Sequence, residues 1–228
     1  MLASPASVIQ AEIAKAKASA ISLSAITRRF SHKWALRGIE LDVAFGELVV
    51  IQGHNGGGKS TLLRVIATAI TPTGGTGRIL GKDLWRDATT IRAESALLGT
   101  SNGLYEDLSA TENLLFAARM LGVRQPAERV AEALRQVGLA NDANERVRAF
   151  SSGMQRRLAI GRLLLQQPKL LLLDEPFNTL DADGVALVSA LIAGTRERGG
   201  AVVVVLHDLA RLNMSPSATY TMTAGRLS

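Results

Sequence analysis

The chain contains no cysteine, which excludes disulfides and thiolate metal sites and fits a reducing compartment. Aromatics make up only 4% of its 228 residues, so no stacking surface for single-stranded nucleic acid is visible. No run reaches the roughly eighteen apolar residues that a membrane-crossing helix needs. The amino end, MLASPASVIQAEIAKAKASA, lacks the continuous apolar segment of a secretory leader, and residues 1–20 are expected to form an extension outside the core. There is no internal repeat and no low-complexity tract.

What remains is 47% apolar and 20% charged, the balance of a globular chain long enough to bury a substantial core. The net charge is +6, but the basic residues are scattered. That describes a solvated surface rather than a nucleic-acid footprint, and no nucleic-acid partner is expected.

The most informative stretch is GHNGGGKST, running Gly53, His54, Asn55, Gly56, Gly57, Gly58, Lys59, Ser60 and Thr61. It fits the phosphate-loop pattern G-x-x-x-x-G-K-[ST] and follows the apolar run ELVVIQ. A loop that leaves a strand and opens a helix turns successive backbone N–H groups onto a phosphate. Lys59 then reaches the β- and γ-phosphates and Ser60 offers its hydroxyl to Mg²⁺. Leu62, Leu63, Val65, Ile66 and Ala69 predict the helix that follows the loop.

Residues 21–52 alternate apolar and polar in short runs, which predicts strands. TPTGGTGRILGKD, from Thr71, is turn-rich and predicts one short strand. From 109 to 137 the pattern is helical. Ser109 and Glu112 form a capping box, Pro126 opens the next helix, and Val130, Leu134 and Val137 line one face. KLLLLDEP returns to sheet: Leu170 to Leu173 is an apolar run without alternation, the mark of a strand buried on both faces. A helix over about 182–198 and a second buried strand from Ala201 to Leu206 complete a βαβ pattern.

Asp174 and Glu175 stand at the carboxyl end of the leucine strand, where open α/β sheets place their ligands. An aspartate there can hold Mg²⁺ through water, and the adjacent glutamate can polarise an attacking water. His207, one of three histidines, ends the next strand beside Asp208, a place suited to sensing a γ-phosphate.

The order of these motifs resembles the ATP-binding subunit of ABC transporters from about residue 21 onward. FSSGM, from Phe150 to Met154, leading into QRRLAIGRLLL, is similar to that family's signature motif. Ser151 and Gly153 match its serine and second glycine, whereas Ser152 and Met154 depart from the commoner Gly and Gln. NTLD resembles the D-loop, with Asp181 matching its aspartate and Asn178 replacing the usual Ser. Phe30 occupies the place of the aromatic that stacks on adenine. By alignment of the flanks, Ser101 falls where the family carries a glutamine that contacts Mg²⁺ and the membrane partner; Thr100 or Asn102 offers a partial substitute.

The resemblance implies an α/β fold: a P-loop NTPase core of the ABC-ATPase type, with an antiparallel β subdomain and an inserted helical subdomain. The core is expected over 21–99 and 166–228, and the helical subdomain over about 100–165. It implies ATP and Mg²⁺ as ligands and hydrolysis of ATP, with Lys59, Glu175 and His207 as catalytic groups. Ser60 and Asp174 are the metal ligands, and Ser151, Gly153 and Asp181 close the nucleotide site of a second ATP-binding subunit in a homodimer. It also implies an integral-membrane permease as partner and a cytoplasmic, peripheral place on the inner face of the cell membrane. Within the family, SNGLYEDLSATENLLFAARMLGV, FSSGMQRRL and DEPFNTLDADGVALV resemble the ATP-binding subunits of cytochrome c maturation haem exporters.

Three other readings stay open. One is another ABC exporter, of drug, lipid or polysaccharide, whose ATPases share parts of these flanks. A soluble non-transport ABC ATPase is the second; such chains usually carry two cassettes or a long coiled insertion, and neither is present. Ser101 motivates the third, a module that holds ATP without hydrolysing it, against which Lys59, Asp174, Glu175 and His207 speak.

Overall fold

A computed structural model describes residues 19–228. The expected amino-terminal extension therefore lies outside the described residues, except for Ser19 and Ala20, which begin the first strand.

That strand, β1 (Ser19–Phe30), turns back into β2 (Lys33–Ala44). β3 (Leu48–Gln52) leads through the phosphate loop into α1 (Lys59–Ile66). β4 (Gly74–Ile79), β5 (Lys82–Asp83), α2 (Ala88–Glu94) and β6 (Ser95–Leu98) follow. Next come α3 (Ala110–Met120), α4 (Pro126–Gln136) and α5 (Ser152–Gln166). β7 (Leu170–Asp174), α6 (Ala182–Glu197), β8 (Ala201–Val205), β9 (Ala218–Thr223) and β10 (Arg226–Leu227) close the chain.

The strands form two sheets. The first is antiparallel, in the order β2-β1-β4-β5. The second runs β10-β9-β3-β8-β7-β6, parallel from β9 through β6 with β10 antiparallel at its edge. Period-two alternation of side chains splits β3, β7 and β8 between two cores. Val49, Ile51, Leu170, Leu172, Val203 and Val205 face the antiparallel sheet and α1. Leu48, Val50, Leu171, Leu173, Val202 and Val204 face the helices α3 to α6. The leucine run of β7 is therefore apolar on both faces because both faces are covered. Each fully buried leucine contributes on the order of 2 kcal/mol from area removed from water.

The capping box is formed: Glu112 N donates to Ser109 Oγ at 3.2 Å and Ser109 N donates to Glu112 Oε2 at 2.8 Å. Pro126 opens α4, and Val130, Leu134 and Val137 are buried as expected. Two local readings need correction. The phosphate-loop helix stops at Ile66, leaving Ala69 exposed beyond it. Thr68 adopts φ +54°, and the N–H groups of Thr68 and Ala69 donate to Val65 O and Arg64 O, a Schellman closure built on threonine instead of glycine. The turn-rich segment holds two strands, because Leu80 and Gly81 (φ +53° and +75°) form a two-residue hairpin pairing Ile79 with Lys82.

Candidate functional site

Because β3, β6, β7 and β8 are parallel neighbours, the loops leaving their carboxyl ends converge on one edge of the sheet. These loops carry Gly53–Gly58 after β3, Gly99–Asn102 after β6, Glu175 after β7 and His207 after β8. The phosphate loop is held against the rest of the chain with no room for side chains at its ends. Gly53 has φ +142° and a Cβ there would meet Met222 O at 2.2 Å; Gly58 has φ +111° and a Cβ would meet Ala35 O at 2.5 Å. Lys59 is buried, and its Nζ donates to the carbonyl oxygens of Gly53 at 2.7 Å and His54 at 2.9 Å. The ammonium thus spans the inside of the arch, while His54, Asn55 and Gly56 are exposed and Gly57, Gly58, Ser60 and Thr61 are half-buried.

The structure brings Glu175, His207 and Asn55 together from three strand ends. His207 Nε2 lies 3.0 Å from Glu175 Oε1 and 2.6 Å from Asn55 Oδ1. Both neighbours accept, so Nε2 is the nitrogen that carries the proton. Glu175 holds a left-handed backbone, φ +47°, and its N–H donates to Val205 O at 3.0 Å, which ties it to the end of β8. Such a strained position persists only where its surroundings over-determine it, as at functional sites. Asp174 is buried at the end of β7. Asp208 does not join His207: its Oδ1 accepts from Ala210 N at 2.9 Å and caps a short 3-10 turn.

Sequence reasoning missed Arg156. This guanidinium is buried on α5, and its Nη1 donates to Gly99 O at 2.6 Å and Asn102 Oδ1 at 3.4 Å. Its Nη2 donates to Asp174 O at 3.1 Å and Glu175 O at 3.2 Å. It is a cross-brace between the loop after β6 and the loop after β7. Burial pushes its pKa below the ordinary range, against a smaller upward pull from the Asp174 carboxylate. The available signal was a second arginine beside Arg157 in QRRL, but nothing in the pattern says which of the two turns inward.

Ser151 and Gly153 sit at the amino end of α5, where Ser151 Oγ accepts from Met154 N at 3.2 Å. A Cβ on Gly153 would lie 3.1 Å from Thr179 O, so this helix start is packed on the NTLD turn. Arg157 links the two, donating to Asp181 Oδ1 at 2.6 Å. Hydrogen bonds from Gly184 N–H and then Arg157 hold the Asp181 carboxyl below the usual range. Ser151, Gly153, Thr179 and Asp181 line one cleft of about 580 Å³. Phe30, at the end of β1, is 44% exposed with the Arg28 guanidinium 4.5 Å from its ring centroid, so it is not a core residue. Ser151 and Gly153 make no hydrogen bond to Glu175; the NTLD turn lies between, with Thr179 packed on Gly153 and Asn178 bonded to Glu175.

Among the described residues no cluster of three or more His, Asp and Glu side chains is arranged to hold a metal. The hard oxygens of Ser60 and Asp174 still suit Mg²⁺, which takes one or two protein oxygens and completes its shell with phosphate and water.

Residues 36–178 match the ABC transporter family. The chain is 39% identical over 180 residues, 79% of its length, to the cytochrome c biogenesis ATP-binding export protein CcmA 2 of Cupriavidus metallidurans, of which it covers 85%. This chain belongs to the ABC transporter family. A daunorubicin resistance ATP-binding protein, DrrA3 of Streptomyces coeruleorubidus, is 34% identical over 92% of this chain and 67% of that protein. The fold of this chain is that of the ATP-binding cassettes: a dimeric cassette in a post-hydrolysis state with ADP and Pi superimposes with a TM-score of 0.84 at 26% identity, covering 91% of this chain and 96% of the other. In this ABC transporter chain Ser101, in the loop after β6, is exposed, and Asn102 beside it accepts from Arg156.

Proposed function

We propose that the chain is the ATP-binding and ATP-hydrolysing subunit of an ABC exporter that energises haem export for cytochrome c maturation through a separate permease. The observation that carries the hydrolytic reading is the meeting of Asn55, Glu175 and His207 at the mouth of the phosphate loop. The haem-export reading rests on the similarity to CcmA 2 over most of both chains.

In this reading the loop N–H groups and Lys59 hold the β- and γ-phosphates, and Lys59 moves its hydrogen bonds from Gly53 O and His54 O to phosphate oxygens. Ser60 and Asp174 would hold Mg²⁺, which when bound would supply positive charge beside the phosphates. Glu175 orients the attacking water and accepts its proton as the water approaches the γ-phosphorus in line. His207 Nε2–H donates a hydrogen bond to a γ-phosphate oxygen. Phe30 offers an exposed ring face to adenine. A second copy of the chain supplies Ser151 and Gly153, whose helix start attracts the γ-phosphate through its N–H groups and dipole. Asp181 lies at the same surface. The helical stretch over about 100–165 and the core over 21–99 and 166–228 then act as two parts of one cassette.

No helix among the described residues is long and apolar enough to cross a membrane; in this reading a separate permease provides the transport path. The subunit is placed on the cytoplasmic face of the cell membrane, where ATP is available. The alignment to DrrA3 over 92% of the chain favours a second reading, export of a drug-like molecule. Affinity capture of the tagged chain from mildly solubilised native membranes separates them. Co-purification of a cytochrome c maturation permease is expected, whereas a drug-export permease would replace the haem assignment and leave the ATPase mechanism standing.

A further inference from the structure

The Glu175 carboxylate is held at both oxygens. His207 Nε2 lies against Oε1 at 3.0 Å, while Oε2 accepts from the Nδ2 of Asn178 at 2.6 Å. Asn178 stands in NTLD, where the resemblance has serine as the usual residue. The other end of the amide is also engaged, because Arg211 Nη1 donates to Asn178 Oδ1 at 3.3 Å. A guanidinium only donates, so it accepts no other orientation: the amide oxygen must face Arg211 and the amide nitrogen must face Glu175. Arg211 lies in the 3-10 turn that follows His207. The loop after β8 therefore reaches Glu175 twice, directly through His207 and indirectly through Arg211 and Asn178.

We propose that Asn178 is a positioning residue that aims the Glu175 carboxylate, with the direction of its amide set by Arg211. Glu175 starts from a left-handed backbone and would otherwise sample several side-chain rotamers. With Oε2 fixed by Asn178 and Oε1 beside His207, the carboxylate stays at the mouth of the phosphate loop. This inference rests on the proposed role of Glu175 in hydrolysis.

The test is steady-state ATP hydrolysis by the purified full chain, separating kcat from KM. Asn178→Asp keeps the shape but sets a carboxylate against a carboxylate; a misaimed base should lower kcat about 10–100-fold. The KM for ATP should stay within about 2-fold, because uniform binding is untouched. Asn178→Ala should lower kcat in the same direction. Arg211→Met frees the amide to turn and should lower kcat less, while Arg211→Lys restores a donor and with it the rate. The double variant Asn178→Ala with Arg211→Met should be no slower than Asn178→Ala alone, since both act through one chain of hydrogen bonds. Asn178 and Arg211 are exposed, so unchanged thermal melting is expected in each variant. Wild-type kcat in Asn178→Asp, with Glu175→Gln inactive, would overturn this inference alone. Wild-type kcat in Glu175→Gln would overturn the assigned role of Glu175 itself. Additive losses in the double variant would separate Arg211 from Asn178 and refute the orienting chain.

Discussion

Replacing Arg156 by Met should both loosen the fold and slow hydrolysis, and the geometry sets the size of each effect. Methionine fills similar volume but donates nothing, so Gly99 O, Asn102 Oδ1, Asp174 O and Glu175 O lose their shared donor. Leaving a buried acceptor unpaired costs about 1–3 kcal/mol, though Glu175 O keeps the Asn178 N–H as a donor at 3.3 Å. Against this, the variant no longer buries a guanidinium whose pKa is pushed down by desolvation, and relief of that penalty returns part of the loss. The net expectation is a destabilisation of about 2–3 kcal/mol, or about 5–10 °C in Tm for a domain of this size. The loops carrying Asp174 and Glu175 would also lose their brace, which should lower kcat about 10–100-fold. Lysine cannot fork between the two loops, so Arg156→Lys should recover little of either property. Differential scanning calorimetry and steady-state hydrolysis read the two effects. Melting within about 1 °C of wild type, with unchanged turnover, would refute the cross-brace.

Other perturbations test separate parts of the structure. Ser109→Ala removes the capping-box acceptor of α3 and should cost about 1 kcal/mol, seen as a Tm drop of about 2–4 °C; an unchanged Tm would show that the cap contributes nothing in this setting. Gly58→Ala would force a Cβ to 2.5 Å from Ala35 O at φ +111°, and should abolish detectable ATP binding by fluorescence titration; retained affinity would contradict the close packing of the loop. Glu94 is held below the usual carboxylate range by hydrogen bonds from Lys169 and then Lys82. A carboxylate with a depressed folded pKa gives stability that is present above its unfolded pKa and lost as pH falls through the folded one. The stability gap between wild type and Glu94→Gln, measured by chemical denaturation, should therefore be full at neutral pH and shrink on acidification; a gap independent of pH would remove the ion pairs as its cause.

Much of the site was legible because its parts are local. The phosphate loop needs glycines and a lysine at fixed spacing after a strand, and the leucine run of β7 betrays a strand covered on both faces. What escaped is long-range or depends on unexpected backbone. The Leu80–Gly81 hairpin was hidden because leucine at φ +53° is not a turn signal, and α1 ended early because Thr68 took a conformation usually left to glycine. Arg156 joins positions up to 57 apart in sequence, and the spacing of residues along one chain does not say which carbonyl a buried guanidinium will reach. The same holds for Asn178: its identity is plain in NTLD, but its hold on Glu175 follows only from the turn after β7.

The most direct test of the account is ATP turnover and nucleotide retention by Glu175→Gln beside wild type. The protein should lose hydrolysis while keeping bound ATP, and should elute as a nucleotide-trapped dimer in size-exclusion chromatography. Hydrolysis at the wild-type rate in that variant would contradict the assignment of Glu175, and with it the reading of the Asn55, Glu175 and His207 cluster as the hydrolytic centre.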